Sequence, residues 1–222
     1  MINFDWNDHY KKGGNSGDSE DYKISIPWKK NILFQYCNLK TDSIIDVGCG
    51  DLQFWTNELP VRYIGVDISS VIIQKNKATY PDVTFLVSNA ASELDISADV
   101  VICFDMLFHI IDDDEYIKIL TNVKKYAKKY IILYTWNRNI FGENLYYRLL
   151  IALVNFKHGK GLSFKIIDGD GKYQKYRDFM KITIPIFEPE FKLVQAHDNT
   201  HWKFGTMYVF ERCNASQSEV ES

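Results

Sequence analysis

The feature that most constrains this chain is an alternation. Short runs rich in Val and Ile recur between longer stretches with helical spacing. The runs fall at 43–46, 62–67, 83–87, 99–104 and 130–135, and each reads as a strand. Helical candidates lie between them at 52–58, 69–79 and 113–127. In the last of these, Tyr116, Ile117, Leu120, Val123 and Ala127 share helical spacing. Strands that are apolar throughout are buried on both faces, and strand–helix repetition implies a parallel sheet covered on both sides.

After Thr135 the rhythm breaks. Residues 137–185 hold an apolar helical run (145–154), the glycine-rich "KHGKGLSFKIIDGDGKY" and "YRDFMKI". Phe191–Gln195 and Thr206–Arg212 then read as two further strands joined by "AHDNTHWKFG". Their closeness predicts an antiparallel pair that closes the sheet edge. The whole of 1–212 is expected to be one domain, with 1–30 as an N-terminal lid segment and 137–185 as an insertion. The polar 213–222 reads as a disordered tail, and its Asn214-Ala215-Ser216 sequon lacks a secretory context.

Length and composition narrow the classes. With 222 residues, 46% of them apolar, the chain can build a substantial core. A net charge of −3 argues against a general nucleic-acid binder. The run "LYYRLLIALVNF" is too short to span a bilayer, which needs about 20 residues. The first residues contain no apolar h-region, so no signal peptide is expected. Four dispersed cysteines fit reduced thiols and a cytoplasmic location better than a disulfide framework. Neither CxxC nor HExxH occurs, so no metal site is expected.

The first strand runs into "DVGCGD". A dinucleotide fingerprint would need a third glycine, and Gln53 stands there. Asp46 and Asp51 flank the turn, where two carboxylates would repel a pyrophosphate and attract a cation. S-adenosylmethionine is such a ligand, with a sulfonium, an α-ammonium and no phosphate. Asp67, ending the second strand, can accept both ribose hydroxyls, although it would do the same for a dinucleotide.

"IIDVGCGD", "YIGVDIS", "FLVSNAA" and "ADVVICFDMLFHI", in this order, resemble the class I S-adenosylmethionine-dependent methyltransferases over about residues 40–135. The resemblance implies a Rossmann-like, seven-stranded, mostly parallel sheet with an antiparallel last strand and helices on both faces. It implies that Asp46, Gly48 and Gly50 hold the methionine part, and that Asp67 with the neighbouring Ile68 holds the ribose. Asn89 and Ala90 would meet the adenine, and Phe104, Asp105 and Met106 would end the fourth strand beside the ligand. Asn89 stands where the family often has Asp. The segment "HYKKGGNSGDSED" resembles a bacterial subgroup whose first segment reads roughly Y-x-x-G-G-x-S-G, which adds Tyr10 and Gly14 to the cofactor set. That loop would fold over the cofactor; the alternative is a disordered leader.

Methyl transfer needs alignment above all, and a base only when the nucleophile must lose a proton. His109, just past the fourth strand, is the candidate base; local packing is the alternative. His197, Asp198 and His201 offer a second pair, against simple turn capping. "DDDE" at 112–115 reads as an acidic helix N-terminus. The insertion is the expected substrate cap. From Arg148 to Lys181 it holds eight Lys/Arg and three Asp, locally +5. Within it Lys172, Lys175 and Arg177 alternate with Tyr173, Tyr176 and Phe179. Lys175, Tyr176, Arg177 and His201 are the substrate candidates, and the pattern suits a phosphate-bearing or sugar-like acceptor, with a solvated helix face as the bland alternative. Single-stranded RNA would also suit it. The run 145–154 would pack on the cap, form a homodimer contact or touch a membrane surface. The favoured reading is methyl transfer to an oxygen, or nearly as readily a nitrogen, of a small molecule or glycan. RNA methylation, a nicotinamide oxidoreductase and a non-catalytic binding module are the alternatives.

Overall fold

The computed structural model describes residues 4–17, 20–56, 58–136, 174–199 and 205–213, with positions 149, 153 and 156. The apolar run 145–154, the glycine-rich stretch, His201 and the tail from Asn214 fall wholly or largely outside the described residues. Helices α1 (Trp6–Lys11) and α2 (Glu20–Tyr36) precede strand β1 (Ser43–Val47). There follow β2 (Arg62–Asp67), α3 (Ser70–Thr79), β3 (Thr84–Val87) and β4 (Ala98–Phe104). A 3-10 turn at Leu107–His109 leads to α4 (Asp113–Tyr126), β5 (Ala127–Trp136), α5 (Phe179–Phe187), β6 (Phe191–Asp198) and β7 (Gly205–Arg212).

The seven strands lie in the order β3-β2-β1-β4-β5-β7-β6. All pairs from β3 to β5 are parallel, and β7 is antiparallel to both β5 and β6. The expected closing pair is therefore present, with β7 inserted between β5 and β6. Alternate residues of each strand enter opposite cores. Ile44, Val100, Ile102 and Ile132 pack under α2 and α3, with Ile32, Leu33, Ile72 and Ile73. Ile45, Val101, Cys103, Ile131 and Leu133 pack under α4 and α5, with Ile119, Leu120, Phe179 and Phe187. Both faces of the sheet are thus covered, which is why its strands read as continuous apolar runs.

Three expectations need correction. The predicted helix 52–58 does not form; residues 51–56 are turns and a bend. Leu52 and Thr56 have φ of 64° and 47°, left-handed values that end a helix, and the turns let Leu52, Phe54 and Trp55 all point inward. The N-terminal lid segment, in which only a loop at 9–21 was expected, also contains α1 and the long α2, which continues through Pro27. The late strands reach further than predicted: β6 extends to Asp198, so His197 and Asp198 belong to a strand and not to a connecting turn.

Leu133 is fully buried in β5 between two paired neighbours. Leu133→Ala is expected to lower stability by about 2–5 kcal/mol. Denaturant unfolding would show this as a lower midpoint at unchanged slope.

Candidate active site

The strand order reverses at β1, between β2 and β4, and such a switch point opens a crevice at the carboxyl ends of the strands. A cavity of about 180 Å³ lies there. It is lined by Asp46, Gly48, Cys49 and Gly50 after β1, Asp67 and Ile68 after β2, and Asn89 and Ala90 after β3. Phe104, Asp105, Met106 and His109 line it after β4, and Phe4, Trp6, Tyr10 and Ser16 from the N-terminal segment.

Asp46 sits beneath the glycine turn, 5% exposed. Its Oδ2 accepts hydrogen bonds from the Trp55 indole N–H and the Tyr63 hydroxyl, both at 2.8 Å. Burial raises its pKa to about 6, against the opposing effect of these two donors. Its second oxygen, Oδ1, takes no hydrogen bond among the described residues. Above it Gly48 and Gly50 adopt φ of 80° and 52°. The amides of Gly48 and Cys49 are held by the Val66 carbonyl, at 2.8 and 3.1 Å. A Cβ on Gly48 would meet Met106 Cγ at 2.8 Å, so the turn passes closely beneath that side chain. Asp67 ties the turn to β2. Its Oδ2 accepts from Gly50 N at 3.0 Å and its Oδ1 from Ser69 N at 2.8 Å, and burial raises its pKa.

The N-terminal segment is clasped across the turn. Ser16 N donates to Asp51 Oδ2 and Asp51 N donates back to Ser16 Oγ, each at 3.1 Å. The Tyr10 hydroxyl lies 3.1 Å from Ser16 Oγ, and Asn7 Oδ1 accepts from Val71 N and the hydroxyls of Ser69 and Ser70. Asp51 thus faces the N-terminal loop and does not line the cavity, contrary to its expected place beside the ligand. Gly14 also stays off the cavity; it packs against the His9 ring and donates to the His9 carbonyl.

At the end of β4, Asp105 adopts φ 57° and receives Lys29 Nζ on Oδ2 at 2.5 Å. Lys29 is 1% exposed in α2 and lies 3.8 Å over the Tyr134 ring. Burial lowers its pKa, and Asp105 acts in the opposite direction. His109 meets the Trp6 ring edge-on at 5.3 Å. At the β3 end, Asn89 is already engaged. Its amide donates to Glu115 Oε1 at 2.7 Å and its carbonyl oxygen accepts from Ala91 N.

The expected substrate residues serve another purpose here. Arg177, 7% exposed, donates to Asp113 Oδ1 and to the carbonyls of Ile110, Ile111 and Asp112. Lys175 donates to Asp113 Oδ1 and the Ile111 carbonyl, and Tyr176 stacks on Trp136 at 4.7 Å. None of the three lines the cavity. The acidic run 112–115 caps α4 through Asp112 and holds these cations through Asp113. His197 and Asp198 lie in β6, where Asp198 accepts from Thr206, and also stand apart from the cavity. Sequence reasoning missed Lys29, Tyr22, Ser16 and Glu115. For Lys29 a signal existed: Ile26, Lys29 and Leu33 lie on one helical stripe, a charge among buried apolar positions.

Among the described residues the cavity lining contains Asp46, Asp67, Asp105 and Glu115 and neither Lys nor Arg. That donor set fits a cationic nucleoside such as S-adenosylmethionine and opposes a pyrophosphate. Fold and crevice together define a Rossmann-like α/β domain with a nucleoside site at its switch point. Residues 44–129 match the family profile described as "Methyltransferase domain". The 235L protein of Invertebrate iridescent virus 6, which carries the name methyltransferase, is 32% identical over 110 residues, covering 47% of this chain and 41% of that protein. The matched stretch is therefore less than half the length of that relative. Magnesium protoporphyrin IX methyltransferase from Synechocystis, solved with S-adenosylhomocysteine, superposes with TM-score 0.61 at 20% identity, covering 93% of this chain and 94% of that one. The N-methyltransferase NodS from Bradyrhizobium japonicum superposes with TM-score 0.59 at 9% identity, covering 89% and 90%. Residues 44–129 thus resemble a methyltransferase domain, and the chain shares the Rossmann-like fold of these solved methyltransferases.

The Ser16 clasp generates a prediction. Ser16→Ala removes the partner of both Tyr10 and the Asp51 amide, interactions worth about 1 kcal/mol each. Amide exchange across residues 6–16 should accelerate about thirtyfold while β1 and β4 remain protected. Unchanged exchange there would mean that other contacts hold the segment.

Proposed function

We propose that this chain transfers a methyl group from S-adenosylmethionine to an oxygen or nitrogen of a small molecule or glycan. The observation that carries this reading is the set of four carboxylates, Asp46, Asp67, Asp105 and Glu115, that line the cavity with neither Lys nor Arg beside them among the described residues. Asp46, whose Oδ1 takes no hydrogen bond among the described residues, serves the α-ammonium of the donor. Asp67 and Ile68 serve the ribose, and Ala90 with the Asn89–Glu115 pair serves the adenine. Tyr10 and Trp6 cover the donor from the N-terminal side. Bound S-adenosylmethionine supplies a methyl carbon whose bond to sulfur breaks as the acceptor's lone pair attacks, leaving a neutral thioether. His109, at the cavity end next to Trp6, takes the proton that a hydroxyl or amine acceptor must release. RNA is a weaker reading, because among the described residues neither Lys nor Arg lines the cavity to receive a phosphate backbone.

Calorimetry with S-adenosylhomocysteine and NAD tests the donor, with binding expected for the first only. The pH dependence follows from Asp46. Its pKa is about 6 in the ligand-free protein. A cationic ammonium favours the carboxylate, so below that pH binding must first displace a proton. Affinity for S-adenosylhomocysteine should therefore fall by roughly tenfold between pH 7.5 and 5. Asp46→Asn should bind more weakly at pH 7.5 and lose most of this dependence. A wild-type affinity that is flat over the window would remove Asp46 from the ammonium site. Once an acceptor is in hand, His109→Gln should lower turnover by about a hundredfold or more at neutral pH. An undiminished rate would remove His109 as the base.

A further inference from the structure

A buried ion pair lies at one edge of the cavity and the donor site does not account for it. Lys29 comes from α2, which precedes the matched methyltransferase segment, and Asp105 ends β4. The lysine side chain is 1% exposed and the aspartate 24% exposed. Asp105, not Lys29, lines the cavity. Lys29 holds Oδ2 at 2.5 Å, and Oδ1 takes no hydrogen bond among the described residues. The backbone of Asp105 sits at φ 57°, a left-handed value that few residues besides glycine, asparagine and aspartate adopt, and its amide is fixed by the Tyr134 carbonyl at 3.2 Å. Strain of this kind persists where surrounding contacts over-determine a position, and here the lysine and the strand do so. A desolvated lysine below a carboxylate also keeps that carboxylate from turning away from the cavity.

Resting on the donor reading above, we propose that Asp105 is the acceptor-orienting residue and Lys29 its positioning residue. The carboxylate receives a hydrogen bond from the hydroxyl or amine that is to be methylated and aims its lone pair at the methyl. This assigns the acceptor class: a neutral or cationic group that carries a hydrogen. An acceptor that presents its own carboxylate to the methyl is repelled by Asp105 and, on its far side, gains nothing from Lys29, which is already paired.

Sinefungin provides a probe that needs no known acceptor. In this donor analogue the methyl-bearing sulfur is replaced by a carbon carrying an ammonium, which projects toward the acceptor side. The affinity ratio of sinefungin to S-adenosylhomocysteine, measured by calorimetry on the full chain, reads the charge met there. The wild type is expected to prefer sinefungin by about tenfold. Asp105→Asn keeps a residue that tolerates left-handed φ, and should bring the ratio to within about twofold of one. Lys29→Met should lower the ratio similarly, and Lys29→Arg should restore it. A wild-type ratio of one or less overturns the proposal, as does an undiminished ratio in Asp105→Asn. A ratio that survives Lys29→Met removes the positioning role. If Asp105→Asn does not fold, the wild-type ratio and the Lys29 pair of variants decide. Failure of the wild type to bind S-adenosylhomocysteine at all would instead sink the donor reading.

Discussion

A carboxylate placed under a glycine turn organises this molecule. Asp46 is buried at the end of the first strand, where an isolated charge would be costly. Two aromatic donors compensate it: Trp55 from the turn after β1 and Tyr63 from β2. Those two hydrogen bonds explain why residues 51–56 fold as turns that bring Trp55 back beneath Asp46. They also leave one carboxylate oxygen for a ligand. The glycine turn, the clasp to Ser16 and the cavity floor are all built around that arrangement.

The same logic repeats around the crevice. Asp67 braces the turn through Gly50 and Asp105 is braced by Lys29, so each acid is fixed by the protein on one side and borders the cavity on another. Carboxylates held in this way need little reorganisation when a cation arrives, which is how preorganised charge becomes useful in a water-poor site. Among the described residues no helix is long and apolar enough to cross a membrane, and no cluster of three or more His, Cys, Asp or Glu could hold a metal ion.

Much of the fold was legible in the sequence because parallel strands buried on both faces must be apolar at every position. β1 and β2 were read nearly residue for residue on that basis. The start of β5 was not, because Lys128 and Lys129 are exposed at the irregularity where the strand begins its pairing with β4. The 52–58 stretch was misread because Leu52, Phe54 and Trp55 imitate an amphipathic helix, and nothing local signals left-handed backbone at Leu52 and Thr56. Of the site, the acids at strand ends were legible, since each strand end delivers its next polar residue to the crevice. Long-range pairing was not. Lys175 and Arg177 look like substrate-facing cations until Asp113, sixty-odd residues earlier, is seen beside them. Lys29 was hidden for the same reason: its partner follows a strand that had not yet been brought against α2.

The grip of Arg177 has a consequence for diversification. Its guanidinium fastens the chain to the loop ahead of α4, and the Trp136–Tyr176 stack brings the end of β5 to the same place. The two described ends that flank the sequence between those points are therefore held side by side. Closing a longer span between anchored ends adds only about 0.6 kcal/mol for each doubling of its length. Changes of length between those two anchored ends therefore leave the strand-end carboxylates where they are.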